Sequence, residues 1–141
     1  MSTQMNKKIL VREVMLSVEM CPVVSENVIL KEALEQMGVF KLGISCIVDL
    51  NGKLLGILTD GDIRRKLLKS QKPLSALFVD DALLHSIRSP IVAQPSDSLF
   101  DSVTLMDKNQ IWDLPVVDTH NNLLGILHSH RAVAVLLGIK N

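Results

Sequence analysis

The chain has 141 residues, 48% of them hydrophobic and 3% aromatic, with 15 Lys and Arg balancing 15 Asp and Glu, four His and two Cys. Such a length fits one domain or two very small ones. It buries roughly 68–70% of the unfolded chain's surface, so a core needs neither disulfide nor metal. A catalytic domain with a separate regulator does not fit, and without a basic block or many rings nucleic acid is a poor partner.

Cys21 and Cys46 are too few for a disulfide scaffold and read as reduced thiols. The opening residues, MSTQMNKKILVREVML, carry charges where a signal peptide keeps its apolar stretch, so a cytoplasmic protein is expected. The most apolar run, Ala132 to Ile139, is far shorter than the roughly 18–20 residues of a membrane helix, and no membrane span is expected.

In chain order, a short helical piece is expected at Val11–Leu16, then an amphipathic helix over Ile29–Lys41 on the stripe Ile29, Ala33, Met37 and Phe40. Two apolar strands follow, Ile44–Val48 and Leu54–Leu58. Between them Asp49-Leu50-Asn51-Gly52 supplies the Asn-Gly of a hairpin turn. A helix over Asp60–Ser70 comes next, then a second short helical piece at Asp81–Ile87. The pattern then returns: a stripe of Leu99, Val103, Met106 and Gln110, a joint at Asp118–Asn122, and a closing helix over Ser129–Gly138 stopped by Gly138.

That return is a duplication. Val48 to Leu58 matches Val117 to Leu127 at a constant offset of 69, with 7 identities in 11 positions. The same offset carries Val23 to Val92, Leu30 to Leu99, Met37 to Met106 and Leu67-Leu68 to Leu136-Leu137. Each copy reads as strand, helix, strand, strand, helix, with copy one over 8–70 and copy two over 71–141. The expected fold is α/β, two pseudo-symmetric β-α-β-β-α repeats packed sheet to sheet as one globular module.

Candidate chemistry gathers where the second hairpin strand of copy one runs into its helix, at Gly56-Ile57-Leu58-Thr59-Asp60-Gly61-Asp62-Ile63-Arg64-Arg65. Two readings apply. In one, Thr59 caps the helix and Asp62 answers it three residues on. In the other, the helix start and the Thr59 hydroxyl face a sugar or phosphate while Asp62 accepts bonds from two adjacent hydroxyls, as a ribose diol would offer.

In copy two His128 and His130 stand at i, i+2 with His120 nearby, short of the ligand set a zinc site needs, so no metal is expected. Cys46 lies mid-strand among apolar residues, and Cys21 has no local His partner to make a thiolate. No nucleophile, base pair or metal set assembles, and no enzyme is expected. Trp112 and Phe40 read as packing residues, Trp112 at the interface of the repeats.

The duplicated unit with Gly-Ile-Leu-Thr-x-x-Asp at the exit of its second hairpin strand resembles a tandem pair of CBS (cystathionine-β-synthase) domains, over roughly Val11 to Gly138. The run Gly56 to Arg65, followed 69 residues later by Gly-Ile-Leu-His-x-His, is similar to the CBS pair at the C-terminal end of bacterial arabinose-5-phosphate isomerases. The resemblance implies a regulatory module that requires no cofactor. Its ligand would be AMP, ADP, ATP, S-adenosylmethionine or a CMP-sugar, bound in clefts between the repeats. Thr59, Asp60, Asp62 and Arg64 would contact ribose and phosphate, and the strand edges Val23–Ser25 and Ile44–Cys46 would flank the base.

Copy two departs from that pattern, with His128 in place of Thr59 and Arg131 in place of Asp62. Arginine accepts no hydroxyl proton. His130 and Arg131 are instead expected to hold phosphate. The other reading that stays open is a structural or dimerisation module with vestigial clefts. The resemblance also implies a homodimer through the helices, which fits the apolar residues on more than one side of the last helix (Ala132, Val133, Val135, Leu136, Ile139). A sugar isomerase or another enzyme domain is the implied partner, in sugar-phosphate metabolism.

Overall fold

The computed structural model describes residues 8–139 as a mixed α/β chain with two three-stranded sheets. The strands are β1 (Leu16–Ser17), β2 (Val23–Ser25), β3 (Ile44–Val48), β4 (Leu54–Thr59), β5 (Asp113–Val117) and β6 (Leu123–His128). The α-helices are α1 (Leu30–Phe40), α2 (Asp60–Lys69), α3 (Leu74–Phe78), α4 (Leu99–Asn109) and α5 (Ser129–Leu136). None of the helices among these residues is long and apolar enough to cross a membrane.

Two compact units form, one from residues 20–90 and the other from residues 8–19 together with 91–139. These boundaries are not those of the sequence copies. In each unit, the opening segment of one copy is packed on the rest of the other copy.

In the unit of residues 20–90 the sheet order is β2-β3-β4, with β2 parallel to β3 and β3 antiparallel to β4. One face of this sheet supplies Val24, Ile47 and Leu58 to a core completed by Leu30 and Ala33 of α1, Leu77 of α3, and Ala82 of a short 3-10 turn. Helix α1 begins one residue later than its stripe suggests. Ile29 is extended, and the Leu30 N–H donates to the Asp80 carbonyl at 2.8 Å. The buried positions are therefore Leu30, Ala33 and Met37. Beyond the core, Ile87 pairs with Ile57 through two backbone hydrogen bonds of 2.8 and 3.0 Å, adding the 79–87 segment to the sheet edge.

The unit of residues 8–19 and 91–139 repeats this plan. Its sheet order is β1-β6-β5, with β1 antiparallel to β6 through Leu16 opposite Ile126. Val11 and Val14 of the N-terminal segment join Ala93, Leu99, Met106, Leu114, Val116, Leu127 and Ala132 in one core. Burying a valine or leucine contributes about 1.5–3 kcal/mol, so the N-terminal segment is part of what holds this unit together.

The first strand expected in this copy is reduced to a single bridge, Ala93 with Val116. Pro115 explains it: its counterpart Cys46 donates its backbone N–H to the Pro22 carbonyl at 2.9 Å, and proline has no N–H to give.

Both hairpins turn around an aspartate. Asp49 Oδ1 accepts from the N–H groups of Asn51 and Lys53, and Asp118 Oδ1 from those of His120 and Asn122, all at 2.8–2.9 Å. The residue with positive φ is Gly52 in one and Asn121 in the other, the residue types that tolerate it. Helix α5 ends in a Schellman motif, with Gly138 at φ 74° and the N–H groups of Gly138 and Ile139 donating to Val135 and Ala134.

Trp112 corrects an expectation. It is 76% exposed, because it precedes β5 rather than lying within it.

Candidate functional site

At the exit of β4 the structure builds the cap that the spacing suggests. The Asp62 N–H donates to Thr59 Oγ1 at 3.2 Å, and the Thr59 hydroxyl donates to Asp62 Oδ2 at 2.6 Å. The second carboxylate oxygen of Asp62 accepts from Arg65 at 2.6 Å. Arg65 is thus the cation that pairs with Asp62 at this turn, one residue beyond the Arg64 to which the resemblance points. The i, i+3 spacing on a helix brings the pair together, and that spacing was the available signal. Arg64 is exposed.

Asp60, also exposed, donates its N–H to the Gly43 carbonyl at 3.1 Å. A Cβ at residue 43 would lie 2.8 Å from Asp60 Oδ2, so the glycine leaves room for that carboxylate.

The ladder register gathers the strand residues of the expected site. Val23 lies opposite Cys46, Ser25 opposite Val48, Cys46 opposite Ile57 and Ile44 opposite Thr59. Directly opposed residues share a face and the period is two, so Val23, Ser25, Ile44, Cys46 and Thr59 stand on one side of the sheet, away from the α1 core. Ile44 and Cys46 are fully buried and Ser25 is exposed. Cys46 and Cys21 are both buried.

Burial acts to raise the Asp62 pKa, but the Thr59 hydroxyl and the Arg65 guanidinium outweigh it and hold the carboxyl below its usual range. Asp80 is also lowered, first by its hydrogen bond with His85 and then by Lys72. A carboxyl with a depressed folded-state pKa contributes stability that is complete above its unfolded value of about 4 and is lost as the pH falls through the folded value. The unit of residues 20–90 is therefore expected to weaken from about pH 4 downward. Urea denaturation across a pH series measures this, and a midpoint that does not move below pH 4 would contradict it.

The equivalent turn of copy two has different chemistry. His128 Nδ1 lies 2.7 Å from Asp113 Oδ1, and the two residues are opposed in the ladder, where copy one has Thr59 and Ile44. The Asp113 carboxylate is buried. Applying the offset of 69 to the first hairpin's register would have found this pair. His130 stacks on His128 with ring centroids 6.5 Å apart, and both His130 and Arg131 are exposed. Arg131 Nε donates to the Val14 carbonyl at 3.1 Å, so this guanidinium also holds the N-terminal segment in place. Among the described residues no three His, Cys, Asp or Glu side chains gather as a metal-holding group.

The comparisons with known proteins agree with the duplication. The family model of the CBS domain matches twice, over residues 11–69 and 79–138. CBSX2, solved in complex with AMP, is 28% identical with a TM-score of 0.78, covering 94% of this chain and 98% of that one. The CBS domain pair of MJ0100, solved with 5′-methylthioadenosine and S-adenosyl-L-methionine, is 25% identical with a TM-score of 0.73, covering 92% and 96%. An arabinose 5-phosphate isomerase of Yersinia pestis is 33% identical over 109 residues, which are 77% of this chain and 32% of the isomerase. The chain spans about a third of the length of the curated relatives it matches.

Proposed function

The chain belongs to the CBS domain family, and we propose that it is a regulatory module that senses an adenosine-type nucleotide and carries no catalysis of its own. The observation that carries this reading is the Thr59–Asp62 turn at the exit of β4. There a hydroxyl, a carboxylate and the Arg65 cation converge on the start of a helix, beside a sheet face that presents Val23, Ser25, Ile44 and Cys46. Asp62 can accept from a ribose diol by exchanging the Thr59 and Arg65 bonds it now holds. Asp60 and Arg64 flank it on the same helix start.

The ligands of CBSX2 and MJ0100 support AMP and S-adenosylmethionine as the first compounds to test, with ADP, ATP and a CMP-sugar after them. In copy two, His128, His130 and Arg131 suit phosphate and leave no acceptor for ribose at the position of Asp62. The likeness to an arabinose 5-phosphate isomerase supports a sugar isomerase or another enzyme as the regulated partner, in sugar-phosphate metabolism. The apolar residues of α5 support a homodimer.

Calorimetric titration tests the reading. Asp62→Ala is expected to weaken both adenosine and AMP by about 2 kcal/mol, the worth of hydrogen bonds to a charged acceptor. Arg131→Ala is expected to weaken AMP and spare adenosine. Because Arg131 also holds the Val14 carbonyl, thermal stability is followed in the same series. If Asp62→Ala changes neither ligand, the ribose assignment fails. If the intact chain binds no nucleotide at millimolar concentration, the structural reading with vestigial clefts replaces it. The Asp62–Arg65 pair, which already occupies the carboxylate, is the observation that favours that second reading.

A further inference from the structure

The turn at the exit of β4 is held shut by one side chain. Arg65 donates to Asp62 Oδ1 at 2.6 Å, and its guanidinium lies over Gly61, where a Cβ would stand 3.3 Å from both of its terminal nitrogens. The glycine leaves the guanidinium its resting place. With the Thr59 hydroxyl on the other carboxylate oxygen, both oxygens of Asp62 already have a donor. A ribose diol meets an occupied acceptor.

The offset of 69 shows that this arrangement belongs to copy one alone. His128, His130, Arg131 and Ala134 stand where copy one has Thr59, Gly61, Asp62 and Arg65. Copy two keeps neither the acceptor, the glycine nor the cation.

We propose that Arg65 is a specificity-determining residue of this turn: it closes Asp62 while no ligand is bound and passes to the ligand's phosphate when a ribose diol displaces it, so that nucleotides are selected over nucleosides. This role rests on the ribose reading of Asp62 and adds what decides between ligands. The Arg65 side chain is 57% exposed against 27% for Asp62, so it swings away without disturbing the core. Its hold is one nitrogen on one oxygen, and an ion pair this exposed is worth roughly fivefold in an equilibrium constant at most. A phosphate offers the guanidinium fork two oxygens at once, a better acceptor than the one given up. A neutral nucleoside opens the pair and returns nothing to the guanidinium, whereas a nucleotide opens it and supplies a replacement.

Calorimetric titration of the intact chain and of Arg65→Gln with adenosine and with AMP tests this role. Arg65→Gln is expected to tighten adenosine about threefold, because the competitor for Asp62 is gone, and to weaken AMP about tenfold, because a charge-assisted bond to phosphate is lost. The opposite signs separate Arg65 from a plain phosphate contact, whose loss leaves adenosine where it was. Lys69→Gln, which removes the same charge from the last turn of α2, moves neither ligand. In the ligand-free chain, carbon-13 titration of the Asp62 carboxyl reads the pair itself, and Arg65→Gln is expected to raise its midpoint. An Asp62 midpoint that stays where it was, an adenosine affinity that falls or does not change, or an AMP affinity that rises with it overturns the role of Arg65. The ribose reading stands in each of those cases so long as Asp62→Ala weakens both ligands. If Asp62→Ala moves neither, the ribose reading falls and the role of Arg65 falls with it.

Discussion

A chain that begins at residue 20 is expected to lose the fold of residues 91–139 while the Met20–Pro90 unit stays folded. The removed segment supplies Val11 and Val14, 0% and 4% exposed, to the core around Leu99, Leu114 and Leu127. It also provides β1 as the partner of β6, and accepts Arg131 on the Val14 carbonyl. Its backbone is tied in by Val11 N–H to Asp97, Arg12 N–H to Pro95, and Leu99 N–H to the Ile9 carbonyl, all at 2.8–3.0 Å. Two buried valines contribute about 1.5–3 kcal/mol each, and each hydrogen bond about 1 kcal/mol. Their sum takes most of the roughly 5–15 kcal/mol by which a whole domain is stable. Amide hydrogen exchange on the shortened chain reads the outcome residue by residue. Retained protection across β5 and β6 would refute it.

Gly125→Ala is expected to destabilise the chain by about 3 kcal/mol, at the upper end for overpacking, and to loosen β1 from β6. A Cβ at residue 125 would overlap the Leu16 carbonyl oxygen and press on its carbonyl carbon and on Ser17 Cα, all backbone atoms that cannot rotate away. The equivalent glycine of copy one, Gly56, meets the Ser86 hydroxyl and, at 2.9 Å, the Ile87 carbonyl oxygen. A serine side chain can change rotamer, so Gly56→Ala is expected to cost less, about 1–2 kcal/mol. Chemical denaturation of the two variants side by side tests the ordering. Equal losses would show that the close approach of the crossing segment is not what these glycines serve.

Gly56 and Gly125 show where sequence reading stopped. Their place in the repeat was legible, as were the hairpins, the α1 stripe to within a residue, and the Thr59–Asp62 cap. All of these rest on neighbours a few residues apart. What the two glycines accommodate was not legible, because Leu16 lies 109 positions before Gly125 and Ile87 is 31 after Gly56. The exchange of the 8–17 and 79–87 segments between copies leaves no local periodicity. Arg65 and Asp113 lay in between: spacing and register point to them once the helix phase and hairpin register are known. Lys41 and Gln110 were invisible for another reason. Both are left-handed at φ 56° and 55° without being glycine or asparagine, so the helix ends they form carry no residue signature. Trp112 was misplaced because a lone large ring is usually buried, and only its position one residue before β5 argues otherwise.

The exchange of the two segments also sets an order of events during synthesis. The unit of residues 20–90 is continuous in the chain, so every residue it needs has left the ribosome once residue 90 has. The other unit closes a loop of about 105 residues between β1 and β6, the slower kind of pairing because closure entropy comes before the contacts that offset it. Residues 8–19 therefore emerge before the 20–90 unit and find their partners after it. While the ribosome makes copy two, Val11 and Val14 stay without their core, and that interval is when this chain is most exposed to wrong association.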